Sequence, residues 1–247
     1  MGNSAAEKTA GIIIIGNEIL SGKVQDSNSF FLASELRALG VNVLRITVIP
    51  DDIEVIGREA VLFSKSFDHV FTSGGVGPTH DDLTMKGLAD GFGVAMMLHS
   101  SLEARFRRRY GDRLNEAILK MALVPEGTEV IDFGDNSFPL VFFRNIYVFP
   151  GIPRFLREKF LLVRERFRTA CFFLARIFVN AEESEIAALL NRTVAAYPEI
   201  SFGSYPIMDN PEYRIIITAE ARDKERLDAA VARLLTLLPE QIIVRVE

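Results

Sequence analysis

The strongest constraint on this chain is an alternation that runs through its first two-thirds. Short apolar runs take turns with amphipathic segments of helical period. Ile12–Ile15 is a run of four isoleucines bounded by Gly11 and Gly16. It is far too short to span a bilayer and reads as a buried strand. Asn28–Leu39 places Leu32, Leu36 and Leu39 on one helical face, with Gly40 as a stop. Val41–Ile49 is a second strand. Asp52 offers an N-cap to a helix that carries Ile53, Ile56, Ala60, Phe63 and Phe67 at helical spacing. Asp68–Thr72 is a third strand, followed by a helix from about Asp82 to Phe92. Ser101–Met121 reads as mostly helical. Asn145–Phe149 is a strand, and Pro153 suits the first turn of a helix with Leu156, Phe160, Val163 and Phe167 on one stripe. Such alternation predicts a mostly parallel sheet covered on both faces, an α/β/α three-layer fold. In such sheets ligands bind beyond the carboxyl ends of the strands.

The order changes near residues 168–174. Ile177–Asn180, Ile200–Tyr205, Tyr213–Ala219 and Gln241–Val246 read as strands, with Glu182–Val194 and Asp223–Leu238 as helices. That is β-α-β-β-α-β, the order of a small α+β unit of ferredoxin-like type. The expected domains are therefore residues 1–170 and 171–247.

The third strand delivers the most informative loop, Phe71–Thr84, which reads FTSGGVGPTHDDLT. Gly74, Gly75 and Gly77 let backbone N–H groups approach an anion closely, since no Cβ intervenes. The helix that follows would point its free N–H groups the same way. Yet Asp81 and Asp82 repel phosphate. Phosphate and two carboxylates coexist best around a bridging divalent cation, Mg²⁺ or else Mn²⁺ or Co²⁺. The loop therefore suggests a metal-assisted phosphate or pyrophosphate site. One aspartate could instead cap the next helix. His80 could contact phosphate or move a proton, and an exposed loop histidine is the plain alternative. After the first strand come Gly16, Asn17, Glu18, Gly22, Asp26, Ser27 and Asn28. Spacing favours Asp26 as a helix cap; the functional alternative puts Glu18 or Asp26 beside the glycine loop. Lys86 and Arg154 read as surface cations, and Arg105–Arg109 as a solvated helix face.

Composition narrows the partners. The apolar fraction of 49% is that of a soluble globular protein. A net charge of −5 argues against a general nucleic-acid or anionic-membrane binder. A single cysteine, Cys171, excludes an internal disulfide and points to a reducing, cytoplasmic setting. The polar start MGNSAAEKTA has no signal-peptide h-region, and Ala6 fails the myristoylation pattern.

Three ordered motifs carry a resemblance. They are Gly16-Asn17-Glu18-Ile19-Leu20-x-Gly22 with Asp26-Ser27-Asn28, then Ser73–Thr84, then Phe149-Pro150-Gly151-Ile152-Pro153. Together they resemble the molybdopterin-binding, MoaB/MogA-like domain family. Within it the chain looks most like the N-terminal region of eukaryotic-type FAD synthases, and is similar to the N-terminal domain of the CinA family. The Thr79-His80-Asp81-Asp82 spelling favours the FAD synthase side. The resemblance implies a divalent-metal-dependent pyrophosphatase acting on a dinucleotide such as FAD or ADP-ribose. It implies catalytic Asp81, Asp82 and Asp26, with metal on Asp81, Asp82 and Glu18. It implies ligand contacts at Gly16, Glu18, Asn28, Ser73, Gly74, Gly75, Gly77, Pro78, Thr79, His80, Thr84, Pro150, Gly151 and Pro153, and a homo-oligomer, dimer or trimer. Asn17 stands where the family usually has Asp, which weakens a metal site if that acid is a ligand. Alternatives are adenylylation of molybdopterin by the same loop and a non-catalytic regulatory or dimerising module. FAD synthases of this type add a C-terminal adenylyl-transferring domain, so FAD synthesis itself is not expected of these residues.

Overall fold

The computed structural model describes residues 7–134 and 138–247. The polar start through Ala6 lies outside the described residues. The chain divides into two compact units at Thr169 and Ala170.

The first unit opens with β1 (Thr9–Ile15), a short α1 (Asn17–Leu20), α2 (Asn28–Ala38), β2 (Asn42–Ile49), α3 (Ile53–Ser66), β3 (His69–Ser73) and α4 (Thr84–Phe92). It continues with β4 (Met96–Leu98), α5 (Ser100–Tyr110), α6 (Glu116–Lys120), β5 (Leu123–Pro125), β6 (Glu129–Ile131), β7 (Leu140–Phe143), β8 (Ile146–Phe149) and α7 (Pro153–Val163). The main sheet has the order β2-β1-β3-β8-β7-β6. Its first four strands run parallel, while β7 is antiparallel to both β8 and β6.

The isoleucine run explains the layers. Side chains alternate across a strand. Ile13 and Ile15 face a core built with Phe63, Leu88 and Phe106, while Ile12 and Ile14 face another with Leu32, Leu36, Leu156 and Phe160. So α3, α4 and α5 cover one face and α2 and α7 the other, as the alternation predicts. Burying each such side chain is worth roughly 1.5–3 kcal/mol.

Some expectations need correction. The long helix over Ser101–Met121 is two helices. Gly111, at φ 50°, ends α5, and the Asn115 side chain accepts from the Ile118 N–H at 2.9 Å to start α6. The strands β4 to β7 were not anticipated, because runs of three or four residues carry too little periodicity to read. The helix after the glycine loop starts at Thr84, two residues late, for a reason given below.

The second unit contains β9 (Phe173–Val179), α8 (Glu183–Ala196), β10 (Ser201–Pro206), β11 (Ile215–Ala221), α9 (Lys224–Leu237) and β12 (Ile243–Val246). Its sheet is antiparallel in the order β10-β11-β9-β12. This is the ferredoxin-like arrangement, with Ile177, Ile217, Leu227 and Leu234 in its core.

Candidate functional site

Sheet order places the site. β1 has β2 on one side and β3 on the other, so the chain leaves the ends of β1 and β3 in opposite directions. That reversal is the switch point at which open α/β sheets bind ligands. The loop after β1 begins at Gly16 and the loop after β3 at Gly74. They touch: a Cβ added to Gly74 would lie 2.0 Å from the Ile15 carbonyl oxygen. Gly74 and Gly75 adopt φ values of 114° and 62°, which side-chain-bearing residues rarely reach.

Three strand ends are tied together by one buried amide. Asn28, 6% exposed at the start of α2, donates through Nδ2 to Ser73 Oγ at 3.0 Å and to the Gly151 carbonyl at 2.7 Å. Ser73 Oγ donates to the Pro150 carbonyl at 3.3 Å. Thr84 closes the loop from the far side. Its hydroxyl donates to the Gly74 carbonyl at 2.8 Å and its N–H to the Gly75 carbonyl at 3.0 Å. This brings Gly16, Asn28, Ser73, Gly74, Gly75, Thr84, Pro150 and Gly151 to one edge. Pro153 opens α7 just beyond, in the helix-start role its sequence position predicts.

The acidic part of the loop is organised by Thr79, after the exposed Pro78. Its N–H donates to Asp82 Oδ2 at 2.7 Å. Its hydroxyl lies 2.5 Å from Asp81 Oδ1 and 2.6 Å from Asp82 Oδ2. A hydroxyl has one proton, so the two carboxylates share it. Asp82 also lies against Gly77, where a Cβ would sit 2.7 Å from Oδ2. With both acids turned to Thr79, neither caps α4, and Leu83 is the cap residue. The late helix start follows from this. The hydrogen bond from Thr79 holds the Asp81 carboxyl below the usual carboxylate range, with smaller help from His80 and Lys120.

A fourth acid was not foreseen. Asp51 follows β2 at the same sheet edge and accepts the Asn17 N–H at 2.8 Å. Burial pushes its pKa up; that hydrogen bond lowers it, and the negative charges of Glu18, Asp81 and Asp82 raise it further. The rule that ligand groups sit at strand carboxyl ends could have found Asp51, since it follows Ile49-Pro50 directly. Lys120 was also missed. It donates from α6 to the Thr79 carbonyl at 2.6 Å, and nothing in its local sequence marks it.

Other candidates stand apart. Asp26 accepts the N–H groups of Asn28 at 2.9 Å and Ser29 at 3.1 Å, and also the Ser29 hydroxyl, so its carboxylate caps α2. The side chain of His80 is 97% exposed, with Nδ1 3.9 Å from Asp81 Oδ1. Lys86 pairs with Asp90 and Arg154 with Glu158, both on the surface. Arg105 overturns the solvated-face expectation. It is buried, bonding Asp132 Oδ1 at 2.6 Å and the Gly134 carbonyl. Among the described residues no three His, Cys, Asp or Glu side chains assemble as a closed metal cage.

Residues 11–169 match the family described as probable molybdopterin binding domain. The chain belongs to that family. Residues 171–247 match the FAD synthase middle domain. A probable FAD synthase of Caenorhabditis elegans is 34% identical over 96% of this chain and 51% of its own length. The chain thus spans about half of that relative. A CinA-like protein of Thermotoga maritima is 29% identical over 95% of this chain and 60% of its own length. The solved CinA of Thermoplasma acidophilum superposes with a TM-score of 0.60 at 29% identity, covering 66% of this chain and 100% of that one. Among the described residues no helix is long and apolar enough to cross a membrane.

Proposed function

We propose that this chain binds a dinucleotide diphosphate such as FAD or ADP-ribose and hydrolyses its anhydride with the help of a divalent cation. One observation carries the reading. Two left-handed glycines open an anion-accepting turn, and beside it the Thr79 hydroxyl draws Asp81 and Asp82 together at 2.5 and 2.6 Å while Asp51 accepts the Asn17 N–H at 2.8 Å. Such an edge accepts a polyanion only when positive charge lies between.

The residues fit a cation held by few protein ligands. Asp81 and Asp82 are drawn together by Thr79, whereas Glu18 is not assembled with them into one cage. Mg²⁺ commonly binds through one or two carboxylates plus waters and substrate phosphates. A bound Mg²⁺, Mn²⁺ or Co²⁺ would neutralise phosphate charge and acidify a water. Asp81 and Asp82 would hold it, with Glu18 adding negative field.

The chain's own groups supply the rest. The N–H groups of Gly75, Val76 and Gly77 face the diphosphate, while that of Gly74 donates to the Phe149 carbonyl at 3.1 Å. Asn28 and Thr84 fix that turn against β1 and β8. Asp82 orients the attacking water. Asp51, whose proton affinity is raised, stands by as the acceptor of its proton. The homologue names support nucleotide chemistry and leave the hydrolase step to experiment. The test is a panel of FAD, ADP-ribose and molybdopterin with each cation, following mononucleotide release. Cation-dependent AMP release from a dinucleotide is expected. Absence of release from both dinucleotides under every cation would overturn the reading.

A further inference from the structure

We propose that Lys120 is the protein's own cationic contact to the ligand, donating from Nζ to a phosphate oxygen of the bound diphosphate. The inference rests on the function proposed above and adds a residue that the sequence motifs leave out. Lys120 is the last residue of α6, remote in sequence from the glycine turns at Gly16, Gly74–Gly77 and Gly151. Its ammonium nevertheless reaches the loop and donates to the Thr79 carbonyl at 2.6 Å.

The ammonium acts on Asp81 only at a distance and forms no ion pair. An ammonium has three donors. Among the described residues, that carbonyl is the hydrogen-bond acceptor of Lys120, and no carboxylate lies within 4.0 Å of it. The cations that follow the Gly74–Gly77 and Pro150–Pro153 turns are spent otherwise: Lys86 Nζ is 2.5 Å from Asp90 and Arg154 Nε 2.7 Å from Glu158. Lys120 thus brings positive charge to an edge that is otherwise acidic, with two N–H donors left over. A compact ammonium on a flexible stem suits a point contact with phosphate. The carbonyl bond holds it in place before the ligand arrives, so little rotamer freedom is lost on binding.

The contact has a chemical signature. It should sense the diphosphate and ignore the base and sugar. The direct test is equilibrium binding of a methylene-bridged ADP-ribose analogue, which cannot be hydrolysed, and of adenosine, both in Mg²⁺. Wild type, Lys120→Met and Lys120→Arg are compared. Removing a charged hydrogen bond should weaken the analogue about tenfold or more in Lys120→Met. Lys120→Arg should recover most of that loss, and adenosine should bind all three alike. Melting temperatures should agree, because the partner carbonyl belongs to exposed Thr79 and can turn to water. In hydrolysis assays KM should rise more than kcat falls. Equal binding of the analogue by wild type and Lys120→Met would overturn the inference and leave the proposed function standing. So would an equal loss for adenosine, which would mean Lys120 only positions the loop. Failure of the wild type itself to bind the analogue would overturn the proposed function and Lys120's part in it.

Discussion

The two units of this chain bury polar side chains in different ways. Among the described residues, the first buries Asn28, Thr72, Ser73, Thr84, Arg105 and Lys159, and the second only Thr193. Thr193 bonds to the Leu189 carbonyl, one turn earlier in its own helix. Asn28, Ser73 and Thr84 instead reach across to other strand ends. Arg105 and Lys159 bond carbonyls in the stretch between β6 and β7. A buried polar group costs stability unless its partner is well placed. The first unit accepts that cost repeatedly along one sheet edge. The second meets it at the unpartnered Ser204 hydroxyl and is otherwise built as apolar packing. The difference separates a site from a scaffold.

That contrast can be broken by mutation. The largest effect is expected at the acids that Thr79 organises. Asp81→Ala and Asp82→Ala should each lower cation-dependent dinucleotide hydrolysis by about 100-fold or more while leaving the melting curve in place. Undiminished turnover in both would remove these acids from the chemistry. Next comes Asn28→Ala. It strips two bonds from three strand ends, and should cost about 2–4 kcal/mol in a denaturant titration and reduce turnover as well. A change below about 0.5 kcal/mol would show that the strand ends need no tie.

Lys159 sharpens the comparison through pH. Burial, then the nearby Arg105 charge, lowers its pKa to about 8. The unfolded chain therefore binds more protons than the folded one between about pH 8 and 10.5. Stability from this group should rise across that window as the proton leaves. Tyr147 works against it above about pH 10, because burial raises its pKa. The clean window is thus about pH 8 to 10, and Lys159→Met should flatten the rise there. An unchanged slope would contradict the buried charge. The smallest effect belongs to the second unit: Thr193→Val should change stability by less than about 1 kcal/mol.

Much of this molecule was legible in its sequence, and the failures have physical causes. The Ile12–Ile15 run gave a strand buried on both faces, and the stripes of α2, α3 and α7 gave the covering layers. The β-α-β-β-α-β order gave the second sheet. Asp26 and Asp52 cap helices as their spacing predicts. The strands β6 and β7 were hidden because they are short, and a two-residue turn at Arg144, φ 58°, joins β7 to β8. Arg105 looked like one more exposed arginine, since its partners Asp132 and Gly134 lie 27 and 29 residues away. Lys120 escaped for the same reason, since its relation to the glycine loop exists only once α6 is folded beside it, whereas Asp51 stood in view at the end of β2.

Whether acids and a polyanion share this edge through a cation can be measured directly by titrating wild type with the methylene-bridged ADP-ribose analogue, with Mg²⁺ and then with a chelator. The account predicts binding with Mg²⁺ and loss of nearly all affinity without it. Equal affinity in the chelator would contradict it.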